Sequence, residues 1–127
     1  MTEPAFLIDT NVLIYLSEKT FGRLTERVEA MNRGSVATSS IAFAEFGRGV
    51  DWSLAYAAAT VERLFEEIAV LPFDRVAARH YADLPFARHR FDRLIAAHAL
   101  ALDLTLVTAN PKDFQGIARL RVEDWTK

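Results

Sequence analysis

The sequence predicts an α/β fold with a mostly parallel sheet and helices on both of its faces. Short apolar runs that do not alternate with polar residues, such as "AFLID" and "LTLVTAN", read as strands covered on both sides, the habit of parallel sheets. Longer segments between them carry apolar residues at helical spacing. The two kinds alternate from one end of the chain to the other, as the crossover connections of a parallel sheet require.

The elements follow in order. "AFLID" is the first strand, closed by Asp9, and "NVLIYLSE" turns helical directly after it. "GRLTERVEAM" places Leu24, Val28 and Met31 on one face of a second helix whose other side is charged. "GSVATS" is a second strand, and "SIAFAEFGRGV" a helix ending at Gly47 and Gly49. Leu54, Ala58, Val61, Phe65 and Ile68 mark another helix, and "IAVLPF" a third strand stopped by Pro72. A helix over 74–84, the long apolar helix "DRLIAAHALAL", the strand "LTLVTAN" and a last strand or edge segment in "LRVEDW" complete the chain. No repeat, linker or low-complexity tract interrupts it.

A chain of 127 residues, 51% of them hydrophobic, is the size of one compact domain spanning 1–127. The formal charge of −2 exerts no global pull on polyanions, so a nucleic-acid partner would be met by local basic patches or bound metal. Without cysteine there are no disulfides, thiolate zinc sites, iron–sulfur clusters or thiol nucleophiles. There is no basic leader at the start and no apolar run long enough for a bilayer, so the expected address is cytoplasmic, with no membrane partner.

Chemistry concentrates in the acids. Ligands of open parallel sheets bind beyond the carboxyl ends of the strands, and Asp9 stands at one such end. It also suits the N-cap of the following helix, a task that Thr10 or Asn11 could share. Glu45 lies in "IAFAEF", where every neighbour is apolar; it either turns to solvent, pairs with Arg48, or is held by a metal. Asp92 opens a helix so apolar that it must pack deep, and capping is its ordinary role. Asn110, Pro111 and Asp113 have the pattern of a helix start, for which capping is favoured. Carboxylates gathered at one rim repel one another unless cations or protons neutralise them. Mg²⁺ or Mn²⁺ suits oxygen donors better than zinc, for which the sequence offers only scattered histidines.

With these residues in place the chain resembles the PIN-domain ribonucleases, and within them the VapC-type toxins of bacterial toxin–antitoxin pairs. The matching blocks are "LIDTNVLIYL", "SSIAFAEFGRG", "FDRLIAAHALALDLTLVTANPKDF" and "LRVEDW", in order across the whole chain. The resemblance implies a PIN-like three-layer α/β/α domain that hydrolyses RNA with metal-activated water. It implies that Asp9, Glu45 and Asp92 hold the metal. The fourth position is Asn110 where some members carry Asp; many VapC-like members share the Asn and place an acid three residues on, here Asp113. Thr10, Asn11 and Asn110 would support the ligands from behind, around one or two ions. A VapB-like antitoxin and a homodimer are further family expectations. The alternative is a PIN-like module that binds RNA or protein with weak catalysis.

Arg88, Arg90 and Arg93 surround Asp92 in sequence and are read as grips for substrate phosphates, whereas Arg75 and Arg79 fit a solvated helix face. His98 reads as a packing residue, since no second histidine stands one turn away, and His80 and His89 follow no pattern. Phe43, Phe46, Trp52 and Tyr56 read as core rather than as an exposed groove for a partner. The segment "PFARHR" replaces a longer Gly- and Pro-rich loop of the family. Aspartyl-phosphate chemistry fails on Asn11, which stands where a second Asp would be needed.

Overall fold

The computed structural model describes residues 3–85 and 90–127. Its elements are β1 (Phe6–Ile8), α1 (Thr10–Glu18), α2 (Gly22–Ala30), β2 (Val36–Ser39), α3 (Ser40–Arg48), α4 (Ala55–Glu67) and β3 (Ala69–Leu71), followed by α5 (Arg75–Tyr81), α6 (Phe91–Leu102), β4 (Thr105–Val107), a 3-10 turn over Pro111–Phe114 and β5 (Val122–Glu123). The five strands lie in the order β3-β2-β1-β4-β5. Their pairings are all parallel. This is the three-layer α/β/α architecture expected from the alternation of strands and helices.

β1 is central, with Leu7 beside Ala37 of β2 on one edge and Leu106 of β4 on the other. Leu7, Ile8, Leu106 and Val107 have essentially no solvent exposure, which explains their unbroken apolar sequence. β3 fares differently. It occupies an edge, where Val70 is exposed, so its apolar run packs less deeply than its composition suggests.

Helices α1 and α3 pack together, and α5 lies along α6. The narrow side chains Ala96, Ala97 and Ala99 are buried along α6 and allow close approach. His98 shares that burial: its Nδ1 lies 2.9 Å from Ser39 Oγ and its ring meets Phe73 edge-on. Burial pushes its imidazole down from the ordinary value, against the smaller opposing pull of Asp74. A neutral core histidine agrees with its reading as a packing residue.

Phe46 is buried and Phe43 packs edge-on against Phe65, as expected of core residues. Trp52 and Tyr56 are not core: they are 50% and 84% exposed. They stand where α3 hands over to α4, and the Trp52 indole N–H donates back to the Gly47 carbonyl at 3.0 Å. Apolar character there is held at the surface. Among the described residues no helix is long and apolar enough to cross a membrane.

Candidate active site

The sheet itself builds the crevice. Ile8 and Val107 are register partners, so Asp9 and Thr108 step off two adjacent strands at the same carboxyl edge. The Asp9 N–H continues the ladder to the Val107 carbonyl at 3.1 Å. Strand order turns at this point, with β2 and β4 on opposite sides of β1, and chain connections leaving in opposite directions open a cleft.

Asp9 sits at the bottom with only 7% of its surface exposed. Its Oδ1 accepts from the Val12 N–H at 3.0 Å, so it does cap α1. Capping does not exhaust it. Burial pushes its carboxyl up from 3.8 to about 6, and the negative charges of Asp92 and Glu45 push the same way, while the Thr108 hydroxyl and Val12 N–H pull back. The side chain feels two other acids brought from distant parts of the sequence.

Those acids line the same pocket. Glu45 reaches it from α3, half-buried, and accepts a hydrogen bond from the Thr10 hydroxyl at 2.6 Å, not from Arg48. Asp92 enters from the first turn of α6, whose N-cap residue, Arg90, makes no side-chain cap bond. Asp113 arrives from the 3-10 turn after β4, where Asn110 Nδ2 donates to its Oδ2 at 2.9 Å. The expected cap is therefore replaced by a bond between the two side chains, and Asn110 makes no side-chain bond to the turn's backbone. Asn11 lines the mouth.

Arg90 corrects the simple picture of a cation waiting outside for phosphate. Its Nε lies 3.0 Å from Asp92 Oδ1 and its Nη2 lies 2.5 Å from Asp92 Oδ2. Nη2 also stands 3.7 Å from Asp113 Oδ1. Hydrogen bonding and charge from Asp92 raise the guanidinium further above its already high value. Arg93 is not among the residues lining the pocket; its Nε and Nη1 are buried and find no hydrogen-bond partner among the described residues. Arg88 and His89 lie outside the described residues. Arg79 pairs with Asp83 at 3.0 Å on an exposed face, as expected of a solvated helix.

Thr108 was not singled out in the sequence, yet its hydroxyl works against the upward push on the Asp9 carboxyl and accepts the Asn110 N–H at 3.1 Å. The available signal was its place, the first residue beyond β4 beside Asp9. Phe91, Ile95 and Phe114 give the pocket an apolar wall.

The donors fit a hard divalent cation in kind: carboxylates from four chain segments, with no thiolate or imidazole among the lining residues. They are not drawn into a tight shell, and among the described residues no group of three or more acids or histidines closes to ligating distance. Arg90 meanwhile pairs with both Asp92 and Asp113 and offsets part of their charge.

The PIN-domain family pattern matches residues 6–120. The chain belongs to the PIN-domain family. This PIN domain is 31% identical over 130 residues to the tRNA(fMet)-specific endonuclease VapC of Shigella flexneri, covering 95% of this chain and 98% of that one. It is 32% identical over 134 residues to ribonuclease VapC1 of Haemophilus influenzae strain R2866, covering 96% and 98%. Among solved structures, it superposes on a chain of VapBC2 from Rickettsia felis, bound to a DNA fragment from its promoter. That match has a TM-score of 0.82 and 26% identity, and covers 95% of this chain and 98% of that one. The resemblance carried by "LIDTN" and "FDRLIAAHALAL" is thus a relationship along nearly the whole chain.

Proposed function

We propose that this PIN domain is an Mg²⁺- or Mn²⁺-dependent endoribonuclease, the toxin of a VapBC-type pair. One observation carries the reading: Asp9, Glu45, Asp92 and Asp113, separated in sequence, line one pocket in which burial and neighbouring charge have already pushed Asp9 up to about 6. A buried acid held among other acids is stabilised most by a bound cation. Relatives named as ribonuclease and endonuclease supply the substrate class.

Asp9 and Asp92 would hold the ion, with Glu45 as a further ligand or an orienter of water, and Asp113 with Asn110 at a second position or behind the first. When bound, a divalent ion acidifies water and offsets charge that builds on the phosphoryl oxygens. The protein's own part is orientation. Thr10 fixes one Glu45 oxygen, the Val12 N–H fixes Asp9, and Asn110 fixes Asp113. Such supporting bonds commonly set ligand direction and affinity. Arg88, and Arg90 once displaced from Asp92, would meet the phosphates flanking the scissile bond. Single-stranded or looped RNA fits an open crevice better than a duplex, because unpaired bases can be splayed out for recognition. The chain would work in the cytoplasm as a homodimer, silenced by a VapB-like antitoxin.

The test is incubation of purified protein with total RNA and with tRNA, in Mg²⁺, in Mn²⁺ and in EDTA, beside Asp9→Ala. Cleavage that requires metal and is lost in the variant supports the proposal; cleavage in all conditions overturns it. A second reading, a module that binds RNA or protein with little catalysis, is favoured by Asn110 in place of an acid and by the guanidinium already seated on Asp92. Tight RNA binding without cleavage in either metal would establish it.

A further inference from the structure

We propose that Arg90 is the resident cation of the acid pocket and sets the affinity with which a divalent ion loads, because guanidinium and metal compete for Asp92 and Asp113. The inference rests on the metal reading above and deepens it.

The geometry is specific. Arg90 Nε spans both Asp92 oxygens, at 3.0 and 3.2 Å, and Nη2 closes on Oδ2. One guanidinium therefore covers the whole ligating edge of that carboxylate in a fork arrangement, the strongest way an arginine binds an acid. The same Nη2 faces Asp113 Oδ1 at 3.7 Å, so a single positive group bridges acids from α6 and from the turn after β4. Among the described residues Asp9 and Glu45 receive no such cation; their hydrogen-bond partners are the neutral donors of Val12 and Thr10.

A carboxylate edge that accepts a cationic N–H fork, with its charge already balanced, is a weaker ligand for a metal. Loading must break all three Arg90–Asp92 contacts and swing the guanidinium outward, a motion open to it because the side chain is already 37% exposed at the rim. Removing the charge removes the competitor, whereas lysine, a point charge without the fork, competes through charge but not through geometry.

The experiment is isothermal titration of Mn²⁺ into the metal-free wild type, Arg90→Gln and Arg90→Lys, with free Mn²⁺ followed in parallel by paramagnetic resonance. Melting of each metal-free protein verifies that it is folded. Arg90→Gln is expected to bind Mn²⁺ about fivefold more tightly, the scale of one partly exposed ion pair removed, with Arg90→Lys between it and wild type. Equal or weaker binding by a folded Arg90→Gln overturns the role of Arg90 and leaves the metal site standing. Absence of Mn²⁺ binding in all three chains overturns both together.

Discussion

Asp9 makes the site's electrostatics measurable without RNA. Its carboxyl is raised from 3.8 in the unfolded chain to about 6 in the fold, chiefly by burial. The native state therefore holds a proton that the unfolded chain releases between those values, and stability falls as pH rises through that window. Above it, the ionised group costs about 3 kcal/mol, at 1.36 kcal/mol for each tenfold change in proton affinity. Asp9→Asn keeps an oxygen for the Val12 N–H and removes the ionised charge, whose net cost already counts the bonds that favour it. Recovery of that cost, about 3 kcal/mol, predicts that the variant melts about 8–12 °C above wild type at pH 8 in EDTA. At pH 3.5 the advantage disappears, because Asp9 is then largely protonated in both states. Calorimetric melts at the two pH values, without metal, provide the assay. A variant less stable than wild type at pH 8, or one whose gain persists unchanged at pH 3.5, would refute burial of charge as the cause.

Three further outcomes are expected. Asp92→Asn lowers RNA cleavage about a hundredfold or more while changing the melting temperature little, because its pair with Arg90 is partly exposed and, among the described residues, it accepts no helix-end N–H; gel assays and thermal melts together measure this. Thr10→Val frees the Glu45 carboxylate and reduces cleavage about tenfold, and Thr10→Ser, which restores the hydroxyl, recovers it; no recovery would mean that the 2.6 Å bond does not orient Glu45. Ile95→Ala, at a fully buried position in the pocket wall, costs about 3 kcal/mol in urea unfolding through the cavity it leaves.

The sheet was readable because its central strands are buried on both faces and leave an uninterrupted apolar trace, as in Leu7 and Ile8. Asp9 was readable in both of its roles, since a cap at a strand end is also a pocket residue when the strand is central. The ordinary capping role of Asp92 is not realised, because its helix begins one residue earlier than its apolar pattern suggests, at Phe91. The fold-back of Arg90 onto Asp92 and Asp113 depends on the turn after β4 arriving beside α6, which no local pattern encodes. Thr108 was hidden for a simpler reason: threonine is ordinary in a strand, and its value comes from the Asp9 beside it. Exposure of Trp52 and Tyr56 is a matter of what covers them, and composition alone is silent about that.

The central position of β1 carries a consequence for the order of events on the ribosome. The strand emerges first, yet one of its two flanks stays open until β4, about a hundred residues later, slides in alongside. A nascent chain released before that point has Asp9 and Glu45 but an unfinished floor, and nothing to bring Asp92 and Asp113 against them. Whatever reactivity this crevice has is therefore withheld from products that stop short of the turn after β4.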